Sequence, residues 1–383
     1  MNIAFFTDTY LPNTDGVVTL LLNYTRELEK RGHEVFIFSP GTQKQKEENK
    51  DPHIYYFTSK SFKPYPDYRI AVFNFFSPIQ LMKDLKIDVI HSHGVATTGL
   101  AAIQSSKKLG IPAISTFHTL LPEAMHYLTN QPQLKGMLQN VAWGYLSWYY
   151  SQFKKTTVPS DFTRKILETH KVTNTVLLPG GVDSTRFNDS VSGEAARKKY
   201  GIKKNVPVVL HLGRVALEKN IGMLIDSAPN VINLVPDVIF MIAGKGPAEN
   251  YYKDIVKQKG LDGHFVFTGY VENELLPSVY ACADTLAFPS SFDTQGLVVL
   301  EAMACGTPAV VRKGSAPSEF VIDGVNGQVF SDHFDFHEKI ISALKNKEKL
   351  EPNAVKTAKE FGIDIMTERL IDLYSSLLPP QKK

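Results

Sequence analysis

Residues 285–311 read TLAFPSSFDTQGLVVLEAMACGTPAVV. The run 285–288 is short, apolar and strand-like, and a loop of small and polar residues follows it. From Leu297 the chain becomes helix-compatible; Gly306 and Pro308 stop that helix, and a second apolar run occupies 307–311. Strand, loop, helix and strand in this order form a βαβ unit, whose two strands lie parallel. The same alternation extends upstream through apolar runs at 206–212, 238–243 and 264–267.

A separate series occupies the first half, with strand candidates at 3–6, 35–38, 89–91, 113–116, 155–158 and 175–178. After the first of these, Val17, Leu20, Leu21, Tyr24 and Leu28 recur at helical intervals, and Arg31-Gly32 closes the helix. The charged, small-residue-rich stretch 187–204 separates the two series and reads as the linker. The expected architecture is therefore α/β, with two Rossmann-like domains, 1–187 and 188–365, whose parallel sheets face one another across a cleft. The final helix, within 366–383, is expected to return to the N-terminal domain, although its pattern alone would allow packing on either. Residues 43–50 read as a solvated polar loop. Ligands of open parallel sheets bind beyond the carboxyl ends of the strands, so function is expected there.

Composition narrows the field. At 383 residues the chain is long enough for two or three domains, and 43% hydrophobic with 21% charged residues excludes disorder and fibrous repeats. Lysine and arginine exceed the acids by 42 to 39, too small a margin to require nucleic acid. The two cysteines, Cys282 and Cys305, sit in apolar segments and read as buried thiols, which places the protein in the cytoplasm. No leader-like segment opens the chain, and no apolar run approaches the roughly 18 residues of a membrane span, so any membrane contact is peripheral.

Chemistry concentrates at the loop–helix junction. Asp293 sits at the mouth of the helix and Glu301 two turns deeper, while the amides of Thr294, Gln295, Gly296 and Leu297 are first-turn donors suited to hydroxyls or an anion. Taken alone, such a pair reads as readily as a cap and a structural partner. The stretch nevertheless resembles the donor-binding signature of retaining glycosyltransferases of the GT-B fold, family four, in which an acid is followed, after seven intervening residues, by Glu and then Ala-Met-Ala-x-Gly. Asp293 stands where Glu is more common. The resemblance implies that Asp293 and the four amides hold a donor sugar and that Glu301 accepts hydrogen bonds from ribose hydroxyls.

Further motifs follow in family order. Thr7-Asp-Thr-Tyr-Leu-Pro and Asp15-Gly16-Val17 look like the first βα loop, where Gly16 would let backbone and helix end meet a diphosphate. Leu212-Gly-Arg214 and Glu218-Lys219-Asn220 are similar to the family's basic pair; Arg214 and Lys219 would clamp the diphosphate and stabilise its departing charge. Pro179-Gly-Gly181-Val-Asp183 with Phe187, Ala243-Gly-Lys245-Gly246-Pro and Phe267-Thr-Gly269-Tyr-Val271 are weaker matches. By resemblance, Lys245 and the Gly269–Val271 backbone contact the nucleotide base. Phe117-His118-Thr119 follows the fourth strand candidate of the first series, and the family pattern makes His118 a contact of the donor sugar. His91 and His93 form a His-x-His pair without a third metal ligand at suitable spacing; they are expected to order the site floor.

The resemblance implies a retaining, metal-independent hexosyl transfer from a UDP- or GDP-sugar, with no cofactor beyond that co-substrate. The acceptor is expected on the first domain. Tyr68 and Arg69, in Pro64-Tyr-Pro-Asp-Tyr-Arg, resemble a Tyr-Arg element of the lipid-glycosylating branch, as do the aromatics of 143–150, which would equally serve as core. A membrane lipid of diacylglycerol or phosphoinositol type is the expected acceptor, reached at the inner face of the cell membrane. A soluble sugar or glycan is the alternative, and non-catalytic binding of a nucleotide sugar is a third reading. A glycosidase would need carboxylates on both sides of a bond and has no use for a phosphate clamp.

Overall fold

A computed structural model describes residues 1–13, 15–62, 65–72, 77–122, 132–291 and 293–379, without the side chains of 62, 65–68, 77 and 132. The chain divides into two compact units, residues 1–179 with 363–383 and residues 180–362.

The first unit holds eight strands: β1 (Asn2–Phe6), β2 (Glu34–Gly41), β3 (Ile54–Phe62), β4 (Tyr65–Ala71), β5 (Val89–Ser92), β6 (Ala113–Thr116), β7 (Lys155–Val158) and β8 (Thr175–Leu177). Their order is β4-β3-β2-β1-β5-β6-β7-β8, parallel throughout except for the antiparallel pair β3–β4. The expected strands are all present. The β3–β4 pair went unread because β4 is an edge strand containing Pro66, and proline in an apolar run argues against a strand unless it lies on an edge.

The second unit holds β9 (Val208–Leu212), β10 (Ile239–Ala243), β11 (Phe265–Gly269), β12 (Thr285–Phe288), β13 (Ala309–Arg312) and β14 (Gly327–Phe330), in the order β11-β10-β9-β12-β13-β14, all parallel. Successive residues of each strand bury on opposite faces. Leu210, Met241, Leu286 and Phe288 join one apolar cluster, whereas Val209, Phe240, Ile242 and Ala287 join another. Burial on both faces is why these strands read as continuous apolar runs rather than as alternating patterns.

Three expectations need correction. The boundary lies at Pro179/Gly180, not at 187/188. Gly180 exchanges two hydrogen bonds with the Gln295 side chain, at 2.8 and 2.9 Å, and Val182 N–H donates to the Phe361 carbonyl at 2.9 Å, which ties 180–187 to the second unit. The stretch 187–204 is no free linker either: it contains the helix Glu194–Lys199, and Arg197 donates to the Cys282 carbonyl. The polar segment after β2 forms a short helix, Gln43–Glu48, because Thr42 and Gln45 make a reciprocal capping box.

The last helix, Ile363–Leu377, belongs to the first unit. Met366, Leu370 and Tyr374 are fully buried on its inner face, and Arg31 at the end of the helix Gly16–Lys30 donates to the Asp364 carbonyl at 3.3 Å.

Candidate functional site

Each sheet reverses its strand order once, between β1 and β5 in the first unit and between β9 and β12 in the second. At such a point the following helices leave to opposite faces, so the loops part and open a crevice at the carboxyl edge. Arg214 and Lys219 follow β9, and Asp293 to Leu297 follow β12; the second unit's basic pair and acidic loop thus flank its reversal.

Their contact is direct. Lys219 Nζ donates to Asp293 Oδ1 at 2.6 Å, with both side chains less than one-fifth exposed. The other carboxylate oxygen, Asp293 Oδ2, is sealed from solvent and has no hydrogen-bond partner among the described residues. Buried carboxylate oxygens normally accept hydrogen bonds, so this atom is positioned for a donor that the described residues do not provide. Arg214 is half-exposed and pairs with Glu218, whose side chain is mostly buried. Phe292, beside Asp293, lies outside the described residues.

Gly296 caps the helix Leu297–Ala304 with φ +79°, and a Cβ there would stand 2.6 Å from Pro317 Cγ. Both the left-handed backbone and the close approach require glycine. Gly296→Ala should therefore destabilise the second unit by about 1–3 kcal/mol. If the helix mouth holds the donor, as the family resemblance implies, its displacement should also raise the donor KM roughly tenfold; thermal unfolding and donor titration check the two effects. The Gln295 side chain is committed to Gly180, which leaves its amide as the group available to a ligand.

Glu301 lies just over one turn into this helix. Tyr280, fully buried, donates its hydroxyl to Glu301 Oε2 at 2.6 Å. Burial pushes the Glu301 carboxyl up to about 7, against the opposing pull of the Tyr280 bond and of Arg186. On the other side of β9, Val215 N–H donates to the Lys245 carbonyl at 2.9 Å, and Gly244 N–H donates to the Gly269 carbonyl at 3.0 Å. The loops after β9, β10 and β11 are thereby stitched together. Gly244 is pressed so closely on Gly213 that any Cβ would strike its carbonyl. Lys245 is exposed, Gly269 has φ +67°, and Val271 is buried core with only its backbone at the loop.

In the first unit, Gly16 opens the helix Gly16–Lys30, is exposed, and has nothing within 4 Å of where its Cβ would be. No contact among the described residues demands glycine there, which leaves room for a ligand. Asp15, however, already accepts from Val17 and Val18 N–H at 2.9 and 3.0 Å, so the helix mouth is partly occupied by its own cap. Asp8 does not face a ligand as an open carboxylate. It accepts from Ala96 N–H and Thr98 Oγ1, capping the helix Thr97–Leu109, and burial raises its pKa.

His118 follows β6 and is bonded to His93 beyond β5, Nε2 to Nδ1, at 3.0 Å. Burial holds its pKa down to about 4, so it is neutral. Arg69 stands elsewhere: on β4, three strands from β1, it donates to Ser59 Oγ and the Ser59 carbonyl at 2.7 and 3.0 Å. At about 4.8 Å per strand, the structure does not bring Arg69 to the β1–β5 reversal with Gly16. Pro64 and the side chain of Tyr68 lie outside the described residues.

Sequence reading missed Tyr280 and His211. His211 is fully buried on β9, bonds Ala287 O through Nδ1 at 3.1 Å, and leaves Nε2 without a partner among the described residues; burial takes its pKa down to about 4. A histidine inside Val-Val-Leu-His-Leu was the available signal. For Tyr280 there was none, because its proximity to Glu301 is tertiary.

Among proteins of known family, residues 14–186 match the model described as Glycosyltransferase Family 4, and residues 192–361 match that described as Glycosyl transferases group 1. The chain belongs to these glycosyltransferases, and its two parallel-sheet α/β units have the GT-B fold. It is similar to the alpha-monoglucosyldiacylglycerol synthase of Acholeplasma laidlawii, 29% identical over 100% of this chain and 99% of that one. The protein of the same name from Streptococcus pneumoniae is 29% identical over 90% of this chain and 78% of its own. Among solved structures, Anabaena HepE in complex with UDP superposes with a TM-score of 0.76 at 19% identity, covering 98% of this chain and 100% of that one.

Proposed function

We propose that the protein transfers a hexose, with retention of configuration, from a nucleotide diphosphate sugar to the hydroxyl of a diacylglycerol-type membrane lipid. The observation that carries the donor half is the Lys219–Asp293 bond, which joins a phosphate-seeking cation to a sugar-seeking carboxylate at the strand reversal of one sheet. In this reading the diphosphate lies against Arg214 and Lys219, and a sugar hydroxyl donates to the unpartnered Asp293 Oδ2. Amides of 294–297 complete the sugar site, and Glu301 accepts the ribose hydroxyls.

The anomeric carbon–oxygen bond to the diphosphate breaks as the acceptor oxygen bonds to that carbon from the same face. The acceptor proton passes to the departing phosphate oxygen. Arg214 and Lys219 offset the charge that collects on the diphosphate, which is the work a metal ion would otherwise do, and no cofactor is required in this scheme.

The names of the curated relatives support a glucosyl donor and a diacylglycerol acceptor. The surface of the helix Pro132–Ser151 supports contact with a membrane. Within 143–150, read as either core or lipid contact, Trp143, Leu146, Tyr149 and Tyr150 are buried, whereas Trp148 is bare. It completes an exposed stripe: Leu134, Met137, Val141 and Trp148 recur at intervals of three, four and seven and are 38, 58, 65 and 49% exposed. They lie on one side of the helix. The helix carries no acidic residue, and exposed Lys107 binds Gln152 at its carboxyl end at 2.6 Å. An apolar stripe beside cations suits an anionic bilayer surface. No helix among the described residues is long and apolar enough to cross a membrane.

The test is product detection by mass spectrometry from a matrix of UDP- and GDP-hexoses against diacylglycerol vesicles and soluble sugars, with the anomeric configuration read by NMR. A glycolipid with the donor's configuration is expected; products on soluble sugars alone would overturn the lipid assignment. Met137→Asp, Val141→Asp and Trp148→Asp together should reduce sedimentation with anionic vesicles at least about tenfold, since burying each such side chain is worth roughly 1.5–3 kcal/mol. Transfer to a short-chain, water-soluble diacylglycerol should persist.

A further inference from the structure

At the carboxyl ends of β5 and β6 three imidazoles adjoin one another: His91 within β5, His93 just after it and His118 after β6. His93 Nδ1 is 3.0 Å from His118 Nε2. The His93 ring lies 3.9 Å from that of His91, centroid to centroid, and meets the Phe5 ring edge-on at 4.9 Å. His91 is held at both nitrogens, Nδ1 by the Tyr374 hydroxyl and Nε2 by the Thr116 hydroxyl, each at 2.6 Å. Tyr374 comes from the returning helix Ile363–Leu377, so the row is anchored from the far end of the chain. Burial holds His91 and His93 well below the usual imidazole range and His118 down to about 4, and all three are neutral at pH 7.

One proton therefore lies between His93 and His118, and two arrangements compete. If His118 Nε2–H donates, then Nδ1 of neutral His93 is the acceptor and its proton must sit on Nε2. That nitrogen is sealed from solvent without a partner among the described residues, so this arrangement orphans a buried N–H. If His93 Nδ1–H donates instead, the orphan is a lone pair. Buried unpaired N–H groups are the rarer and costlier defect.

We propose that His93 is the positioning residue of this glycosyltransferase: it donates its Nδ1–H to His118 Nε2 and thereby fixes His118 as the tautomer protonated at Nδ1. His118 is then a hydrogen-bond donor through Nδ1 and has no lone pair with which to take a proton from an acceptor hydroxyl. It orients an oxygen rather than acting as a base. The inference rests on the proposed function only for the part His118 plays in transfer. The His93–His118 bond itself does not depend on that reading.

The experiment is a long-range 1H–15N correlation on the full chain labelled with 15N-histidine at neutral pH without substrate, with signals assigned by single replacements. His118 Nε2 is expected to resonate as an unprotonated ring nitrogen and Nδ1 as a protonated one. A protonated His118 Nε2 in the unmodified protein would overturn the proposal, whatever the variants do. His93→Leu should release His118 toward the Nε2-protonated form and lower kcat roughly tenfold or more with little change in donor KM. His93→Asn, whose amide N–H can replace the lost donor, should restore both the tautomer and most of kcat; equal defects in the two variants would count against a positioning role. Absence of transfer with every donor would bear on the proposed function alone, because the nitrogen spectrum needs no turnover.

Discussion

Lys219→Met should reduce kcat for hexosyl transfer by about 10²–10³ while the units stay folded, because in the proposed function it removes the cation that offsets charge on the departing diphosphate. The loss should appear mainly in kcat. A cation that only bound the ground state would raise KM instead. The replacement also strips Asp293 of its partner, leaving a carboxylate with Oδ1 newly unpaired and Oδ2 already so. Some loss of stability should accompany the loss of rate, and Lys219→Met with Asp293→Asn should recover the stability but not the rate. Because the two groups touch, the double variant's kinetic defect should fall short of the summed single defects. Full activity in Lys219→Met would refute the clamp; steady-state kinetics and thermal unfolding on the three variants measure both effects.

Glu301 carries the second large effect, and here the two pH dependences run in opposite directions. Its folded carboxyl titrates near 7 because burial penalises the ion, above the 4.5 of an unburied glutamate. Between these values the folded state holds a proton that the unfolded chain has lost. Stability therefore falls as pH rises from about 4.5 through 7 and reaches its full penalty above that. Donor binding as proposed needs the opposite state, in which the carboxylate would accept from ribose hydroxyls. Donor affinity should weaken as pH falls below 7. Glu301→Gln should abolish most of the binding, a loss of roughly 30-fold or more for hydrogen bonds to a charged group. The same variant should raise the melting temperature of the ligand-free protein at pH 8, by roughly 2–4 °C per kcal/mol relieved, and by less at pH 6. The Tyr280 hydroxyl can still donate to the amide oxygen, so the replacement removes charge without orphaning its neighbour. A melting temperature that drops equally at both pH values would show that burial of the ion is not what strains this position.

Several contacts now carry different weight than the motifs alone assigned. Asp15 was read beside Gly16 as part of a phosphate-facing helix mouth, yet its carboxylate occupies two of the amides there. Arg69, read as an acceptor contact, lies on β4, the outermost strand of its sheet, where Ser59 holds the guanidinium. Gln295 was assigned through its amide, and its side chain proves to be what ties Gly180 to the second unit.

The alternation of apolar runs with helical periodicity was enough to determine two parallel α/β sheets, because that pattern is local: each strand buried on both faces must be apolar along its length, and each glycine stop lies within a few residues of the helix it ends. The order of the loop motifs was legible for the same reason, each loop being adjacent in sequence to the strand that presents it. Pairing between distant positions was not. Lys219 meets Asp293 across 74 residues, Tyr280 reaches Glu301 from another helix, and His93 reaches His118 from a neighbouring strand. These meetings follow from which strands stand side by side, above all the reversal between β9 and β12, and strand adjacency is settled by packing of the whole sheet rather than by any segment of it. The bare stripe of the helix Pro132–Ser151 belongs with them: both of its faces are apolar, and only the folded core decides which one is covered.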